Sequence, residues 1–400
     1  MIDVRAARNE PDRVRAALAR RGAAQAFDEL IAADARWREL LPQVEELRGK
    51  QKLQGKPTPV QLEELRTRKE RLTELEERLA SAESERDAAL AKVPNPPHDS
   101  AADGMTEDEA VEITRWGEPT QVAEPKEHTE IGNFDLERGA KVSGSRFGFI
   151  LGDTALVALA VYRLALDRLV REGFTPVLPP VLVREDAMYG TGFFPSDKSD
   201  YYEMPADNLY LVGTSEVPLI AMHMDEILET LPLYYCAFSS CFRRESGAAG
   251  RDTRGMFRVH QFLKVEMVVY THPEQSWDEH ERMLAIEESL VQALGIPYRV
   301  VNTAAGDLSS AAAKRYDIEG WFPSQGRYRE LTSCSNTTDY QARRSRIRYR
   351  SGEKSLDTPH TLNGTAATDR WVLALLENFQ GEVPEVLQQY GAPVRVSRNA

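Results

Sequence analysis

The sequence has few of the residues that build disulfide frameworks and zinc centres. Only three of its 400 residues are cysteines, and Cys236, Cys241 and Cys334 form no CxxC pair and have no histidine at ligand spacing. Neither a structural disulfide nor a zinc site is therefore expected. We interpret the three side chains as buried, reduced thiols.

Long apolar runs are also missing. No stretch approaches the roughly 18 apolar residues that a membrane-spanning helix needs, and the opening MIDVRAARNEPDR lacks the apolar core of a secretion signal. With 42% hydrophobic and 28% charged residues, the chain is expected to be a soluble, cytoplasmic protein of about two domains with no membrane partner. Its net charge of −13 argues against unselective binding of nucleic acid, but not against a local basic surface.

Two series of apolar residues at heptad spacing lie within the first 93 residues. One begins at Leu30 and the other at Leu62, and the segment GKPTP at 55–59 separates them. Heptad spacing predicts helices with one apolar face, and glycine with two prolines predicts a reversal between them. We therefore expect an antiparallel α-helical coiled-coil arm over residues 1–93.

The tip of this arm, near residues 48–71, is basic although the whole chain is acidic. It carries eight basic and three acidic side chains. Such a charge is consistent with a solvated helical surface and equally with an arm that contacts phosphate groups. The candidate phosphate-binding residues are Arg48, Lys50, Lys52, Lys56, Arg66 and Lys69.

A domain boundary is indicated at residues 94–120, which are rich in proline, acidic and small residues and therefore typical of a linker. Residues 121–400 then contain a helical stretch at 154–172 and several strand-like runs, among them LYLV, FLKVEMVVY and YRVVN. Turns and long loops separate these runs. The pattern favours an α+β domain with a largely antiparallel sheet and flanking helices.

The strongest chemical signal is the stretch 242–266, FRRESGAAGRDTRGMFRVHQFLKVE. If neither strand carries a bulge, two strands joined by a mobile, glycine-rich loop would place Arg243 and Glu245 on one face. Phe262, Lys264 and Glu266 would share one face of the partner strand. Guanidinium groups suit phosphates, an aromatic ring suits a base, and carboxylates suit an amine or a hydroxyl. A strand pair with ordinary surface ion pairs is the alternative.

Three further segments add polar residues of the same kind. GTSEVPL at 213–219 offers a hydroxyl and a carboxylate on one side of an extended segment. YRELTSCSN at 328–336 offers oxygen ligands for magnesium, and HTLNGTAATDRW at 360–371 places an arginine before an apolar helix. Each alone is compatible with loop polarity, but together they indicate a site for a nucleotide and an aminated substrate. Their candidate side chains are Thr214, Glu216, Glu330, Ser333 and Arg370.

These motifs, with MIDVRAARNEPDRVRAAL, LPPVLVREDAMYGTG and AKRYDIEGWFP, resemble those of bacterial-type seryl-tRNA synthetases, a family of class II aminoacyl-tRNA synthetases, over essentially the whole chain. The resemblance implies an antiparallel catalytic sheet of six or seven strands within 121–400 and a homodimer built around PVLPPVLV at 176–183. It implies ATP-dependent activation of L-serine to seryl-adenylate and transfer to serine tRNA, which the arm would bind. ATP as substrate and Mg²⁺, without zinc, complete the expected chemistry.

The resemblance also implies roles for single residues. Arg243 would bridge the serine carboxylate and the α-phosphate of ATP, and Arg370 would bind the γ-phosphate, which makes these two the candidate catalytic residues. Phe262 would stack on adenine and Glu245 would contact the adenine end. The implied serine-binding residues are Thr214, Ser215, Glu216, Arg243, Glu266 and Thr365. The implied ATP-binding residues are Arg243, Arg244, Glu245, Phe262, Glu330, Leu331, Thr332, Ser333 and Arg370, of which Glu330 and Ser333 would hold Mg²⁺.

The sequence departs from the family pattern at three places, one of which is the arm, shorter than the family's common length and with Pro42 inside its first helix. The third motif, TAATDR, is one residue shorter than usual and sets Asp369 beside Arg370, where the acid is able to pair with the guanidinium and weaken its hold on phosphate. Ser309 stands where the family usually has glycine. Two alternatives therefore stay open: a serine-activating paralogue for specialised metabolism or inhibitor resistance, and a catalytically impaired tRNA-binding regulator.

Overall fold

The computed structural model describes residues 1–50, 59–246 and 255–398, with the side chains of 59–62 excepted. The predicted reversal at the arm tip and most of the glycine-rich loop after Ser246 lie outside these residues. The chain forms two compact units, Met1–Pro96 and Pro97–Ala400.

The first unit is helical. Its helices are α1 (Val4–Asn9), α2 (Pro11–Ala19), α3 (Ala24–Gly49) and α4 (Pro59–Lys92). The ion pairs Arg36–Glu85 and Arg48–Glu76, at 3.0 and 2.8 Å, show that α3 and α4 lie antiparallel. A buried apolar cluster between them contains only positions of the two predicted heptad series: Leu40, Val44, Leu72, Leu75 and Ala82. Burial of these faces holds the two helices together, because helices of such polar composition gain little stability in isolation.

The second unit is built on a large sheet. Its strands are β1 (Val111–Trp116), β2 (Phe134–Asp135), β3 (Phe149–Ile150), β4 (Thr175–Val177), β5 (Leu182–Arg184), β6 (Glu203–Met204), β7 (Leu209–Leu211), β8 (Ile227–Leu228), β9 (Leu233–Phe242), β10 (Gln261–Thr271), β11 (Tyr298–Asn302), β12 (Lys314–Phe322), β13 (Arg327–Asn336), β14 (Arg348–Arg350), β15 (Leu356–Asp357) and β16 (His360–Thr368). Eight of them form the large sheet in the order β1-β11-β12-β13-β16-β10-β9-β4. All neighbours are antiparallel except β4 and β9.

Two predictions about this unit are wrong. The large sheet has eight strands rather than six or seven; that it is largely antiparallel is confirmed, with β4 and β9 as its parallel pair. The segment 94–120 is not a linker throughout, since β1 lies within it and pairs with β11. All six residues of β1 are exposed, so no buried face left an apolar signature in the sequence.

Helices pack against this sheet. They are α5 (His128–Ile131), α6 (Leu136–Ser143), α7 (Gly152–Arg171), α8 (Glu185–Thr191), α9 (Glu216–Ala221), α10 (Ser276–Ala293), α11 (Tyr340–Arg344), α12 (Asp369–Phe379) and α13 (Glu385–Gln388). α7, α10 and α12 contact its central strands. β10 is buried without a break from Lys264 to Thr271. Its residues from Met267 to Tyr270 form a continuous apolar run, as expected for a strand covered on both faces.

Candidate active site

Two adjoining cavities of about 110 and 510 Å³ form one cleft on the large sheet. The smaller cavity extends to Phe262 and Thr332, and the larger one to Thr214, Glu216 and Glu266. Residues from all four sequence motifs therefore meet in one place. Seven residues line both cavities: Arg243, Glu245, Arg258, Lys264, Glu330, Ser333 and Arg370.

Arg243 lies at the end of β9, where the chain leaves the sheet. The strand ends at Phe242 rather than continuing through FRRE, and the backbone N–H of Arg243 donates to the carbonyl of His260 at 2.9 Å. Its guanidinium carbon lies 5.4 Å from the centre of the Phe262 ring. Gly213 lies against this side chain: a Cβ there would be in ordinary contact with Cγ of Arg243, at 3.4 Å, and in tight contact with the Tyr201 ring, at 3.0 Å.

β-Bulges decide which residues of β13 and β16 face the cleft. Residues three apart in a regular strand point to opposite faces. In β13 the register against β12 shifts so that Leu331 is the extra residue, and Glu330 and Ser333 both line the cleft. In β16 the register against β10 shifts at Ala366, and Thr365 and Thr368 likewise both line it. A bulge thus re-aims side chains that strict alternation would separate.

The larger cavity contains two buried carboxyl groups. Glu216 begins α9, so the predicted extended segment GTSEVPL is helical from this residue on. Its Oε1 accepts hydrogen bonds from the side-chain amides of Gln341 and Asn363, at 2.6 and 3.0 Å. Burial, with the nearby charge of Glu266, raises the pKa of Glu216 to about 7. Burial also raises the pKa of Glu266, although an ion pair with Lys264 opposes the shift.

At the other end of the cleft, Arg370 pairs with Glu330. Its Nη1 donates to the backbone carbonyl and to Oε2 of Glu330, both at 3.1 Å, and its guanidinium lies 4.6 Å from the Phe257 ring centre. Desolvation disfavours ionisation of Glu330, but the charges of Arg370, Arg315 and Arg243 outweigh it and lower the pKa of this carboxyl.

The expected pairing of Asp369 with Arg370 is wrong. Asp369 is buried and accepts hydrogen bonds from the Tyr162 hydroxyl and from the backbone N–H of Leu263. Because its carboxylate points away from the guanidinium, it does not compete with phosphate for Arg370.

Most predicted site residues come together, but two do not. Ser215 is fully buried beneath the start of α9, and Arg244 donates its backbone N–H to the carbonyl of Asp200, 2.8 Å away. Neither lines the cleft. Leu331, Thr332 and Ser309 do line it, Ser309 in the larger cavity.

Sequence reasoning missed other polar residues of this site, among them Arg258, Gln341 and Asn363. Arg258 forms an ion pair with Glu245 from the loop before β10, a region without periodicity. Lys264, which alternation predicts on one face with Phe262 and Glu266, does line the cleft with them. Gln341 and Asn363 are uncharged amides whose role depends on Glu216 lying between them.

The structure describes four of the six predicted phosphate-binding residues of the arm. Arg48, Lys50 and Arg66 each form an exposed ion pair, with Glu76, Glu46 and Glu70 respectively. Lys69 is exposed, and Lys52 and Lys56 lie outside the described residues. Exposed pairs of this kind exchange readily for other partners, because they contribute little stability.

Cys236, Cys241 and Cys334 are free and buried, as predicted. Within the described ranges, no group of three or more histidine, cysteine, aspartate or glutamate side chains is arranged to hold a metal. Among the same residues, no helix is both long and apolar enough to span a bilayer.

Comparison with known proteins gives consistent results for both units. Residues 1–97 match the seryl-tRNA synthetase N-terminal domain, and residues 201–379 match the tRNA synthetase class II core domain (G, H, P, S and T). The serine–tRNA ligase of Thermobifida fusca is 47% identical over 98% of this chain and 97% of its own. That of Streptomyces coelicolor is 46% identical over the same shares.

Two solved structures are also similar to this chain over almost its whole length. The seryl-tRNA synthetase of Pyrococcus horikoshii complexed with ATP superposes with a TM-score of 0.94, at 39% identity and with full coverage of both chains. The cytoplasmic serine–tRNA ligase of Naegleria fowleri in complex with AMP gives a TM-score of 0.88 at 34% identity, covering 98% of this chain and 96% of that one.

Proposed function

Because the chain belongs to the seryl-tRNA synthetase family of class II enzymes, and so is a serine–tRNA ligase, we propose that its cleft binds ATP in the smaller cavity and L-serine in the larger one. The observation that carries this division is Arg243, which borders both cavities. A guanidinium there can bind the serine carboxylate and the α-phosphate together, which holds nucleophile and electrophile in reacting position.

At the ATP end, Phe262 offers a face for adenine and Arg243 lies over that ring. Arg370 would bind the γ-phosphate, with Glu330 as the partner that it exchanges for phosphate. Glu245 would contact the adenine end. The P. horikoshii and N. fowleri relatives, crystallised with ATP and AMP, support a nucleotide site here. Arg244, Leu331 and Thr332 belong to the proposed ATP set, although Arg244 does not line the cleft.

At the serine end, Glu216 and Glu266 provide negative charge for the substrate ammonium group. The Thr214 hydroxyl accepts a hydrogen bond from the backbone N–H of Glu216 and bonds to Glu266. Thr365 lines the adjoining smaller cavity and would reach the hydroxyl of serine from that side. Ser215 would act only through the position of α9, because its side chain is buried. A larger aliphatic substrate would leave these polar groups unpaired, which disfavours its binding.

Mg²⁺ fits the residues that the bulge in β13 brings to one face. Glu330 and Ser333 would supply two oxygen ligands, and magnesium commonly completes its shell with water and substrate phosphates. When bound, the ion would neutralise phosphate charge. The reaction needs no protein base for the first step, since the serine carboxylate is ionised at neutral pH.

Serine tRNA and a second copy of the chain are the proposed macromolecular partners. Arg48, Lys50, Lys52, Lys56, Arg66 and Lys69 at the arm tip would contact tRNA phosphates. The dimer would cover exposed apolar side chains: Val142, Phe149 and Leu159, which line one mainly apolar cavity, and Leu178 of the segment PVLPPVLV. Exposed apolar patches mark association surfaces. A cytoplasmic location stays a prediction.

The decisive experiment is serine-dependent exchange of pyrophosphate into ATP, followed by charging of total tRNA. We expect exchange with serine, little with threonine or alanine, and charging of serine tRNA alone. Absence of both activities from a folded dimer would refute the proposal. The impaired-regulator alternative loses its motivation, because it rested on an Asp369–Arg370 pair that the structure does not contain, and the relatives favour the ligase over the specialised paralogue.

A further inference from the structure

The shortened third motif places a buried acid at the edge of the cleft. β16 ends at Thr368 and α12 begins with Asp369, which is 6% exposed. Asp369 lines the smaller cavity of the cleft and also a neighbouring, mainly apolar cavity of about 430 Å³. A buried carboxyl group needs hydrogen-bond donors, and two structural elements supply them.

The first donor is on β10. The ladder between β10 and β16 ends at the pair Lys264 and Thr368. One step further, Leu263 faces position 369, where the chain has already turned into α12 and offers no strand carbonyl. The Leu263 N–H instead donates to Oδ2 of Asp369 at 3.3 Å. The side chain thus replaces the missing backbone acceptor, which a partly buried N–H requires.

The second donor is on α7. The hydroxyl of Tyr162 donates to Oδ1 of Asp369. Tyr162 is 2% exposed, and its ring centre lies 5.1 Å from that of Phe238 on β9, so packing fixes its position. An acidic residue in the first turn of α12 is also favoured by the helix dipole. One carboxyl group therefore connects β10, α7 and the start of α12.

The neighbours of these bonded residues both face the ATP end of the cleft. Phe262 precedes Leu263, and Arg370 follows Asp369. Resting on the function proposed above, we propose that Asp369 is a positioning residue for ATP: it holds the adenine platform Phe262 and the phosphate ligand Arg370 at a set separation and anchors both to α7 through Tyr162. In this proposal, the acid that precedes Arg370 in the motif TAATDR has a structural role.

Three variants test the assignment. Asp369→Ala removes both acceptors and should raise the Kd for a non-hydrolysable ATP analogue roughly tenfold, the size expected for lost charged hydrogen bonds. Asp369→Asn keeps one good acceptor oxygen and should fall between Asp369→Ala and the native protein. Tyr162→Phe removes only the α7 contact and should have the smallest effect. The KM for serine should stay within twofold in all three, because Asp369 does not line the larger cavity.

Glu377→Gln is the matched control. Glu377 is a fully buried acid of the same helix, two turns further on, bonded to His128 and Ser324. Its substitution should lower Tm without changing ATP affinity, which separates positioning from general stability.

Calorimetric titration of the full-length variants with the ATP analogue measures affinity directly, and pyrophosphate exchange gives the KM for ATP and for serine. An ATP affinity of Asp369→Ala within twofold of native, an equal rise in the serine KM, or a similar loss of affinity in Glu377→Gln would each overturn the assignment. If the native protein binds the analogue but shows no serine-dependent exchange, the proposed function fails while the titration still decides the role of Asp369.

Discussion

Glu216 should make the free enzyme less stable as pH rises, and substitution by glutamine should remove this dependence. Burial raises the pKa of Glu216 from its ordinary 4.5 to about 7. Below pH 4.5 the group is protonated in both the folded and the unfolded chain, so its ionisation does not lower the free energy of unfolding. Between pH 4.5 and 7 the unfolded chain releases the proton while the folded one keeps it, and folding stability falls.

The magnitude follows from the size of the shift. One pKa unit corresponds to about 1.4 kcal/mol, so the free energy of unfolding should fall by about 3 kcal/mol between pH 4 and pH 8 on account of this group. Glutamine has nearly the same shape and its carbonyl can accept the same amide hydrogen bonds from Gln341 and Asn363. It does not titrate, and the difference in stability between native protein and Glu216→Gln should therefore shrink or reverse as pH rises.

Urea unfolding at several pH values, followed by tryptophan fluorescence, measures this difference. Titrating groups that do not interact with Glu216 are common to both proteins and cancel, whereas Glu266 interacts with the charge of Glu216 and titrates differently in the variant. Glu229→Gln serves as a control, because Glu229 is a 70% exposed partner of Arg350. Saturating serine should raise the Tm of the native protein more at pH 8 than at pH 5.5, since an ammonium group stabilises the ionised carboxylate. A pH-independent difference between native protein and Glu216→Gln would refute this reasoning.

Three other predictions concern the two substrates and the tRNA. Arg243→Ala should lower serine-dependent exchange by about three orders of magnitude, since it removes the charge shared by both substrates; near-normal exchange would contradict the role. Gly213→Val should displace Arg243 and reduce exchange by about tenfold without changing the circular dichroism spectrum, and retained activity would show that the close approach is unimportant. Arg66→Glu combined with Lys69→Glu should weaken tRNA binding most at low salt while exchange is unchanged; equal loss of both activities would contradict an arm that serves tRNA alone.

Much of the fold could be predicted because its signals are local. Heptad spacing in α3 and α4 depends only on which residues share a helical face, and the cluster between them uses those positions. The apolar run of β10 likewise indicates a strand covered on both sides. β1 escaped prediction because an exposed edge strand acquires its conformation from hydrogen bonds to β11, a partner distant in the sequence.

The sequence also indicated which residues form the site, but not the face of the sheet to which each side chain points. Regular alternation would put Glu330 and Ser333 on opposite faces, and the bulge at Leu331 puts them on one. A bulge is an extra residue opposite a single residue of the partner strand, so it depends on the pairing register, which the sequence of one strand does not reveal. Arg258 and Gln341 were missed for a related reason. Each acts by binding a carboxylate that is distant in the sequence or not predictably near, Glu245 for Arg258 and Glu216 for Gln341.

The motifs by themselves determined the family, the reaction class and the identity of Arg243, Phe262 and Arg370 as candidate ligands, because these depend on side-chain chemistry in a fixed order. Only the tertiary structure decided what Asp369 does. In the sequence it is the neighbour of Arg370 and a plausible competitor for its charge. In the fold, the turn from β16 into α12 directs its carboxylate to donors on β10 and α7 instead, because side-chain direction follows backbone geometry rather than adjacency along the chain.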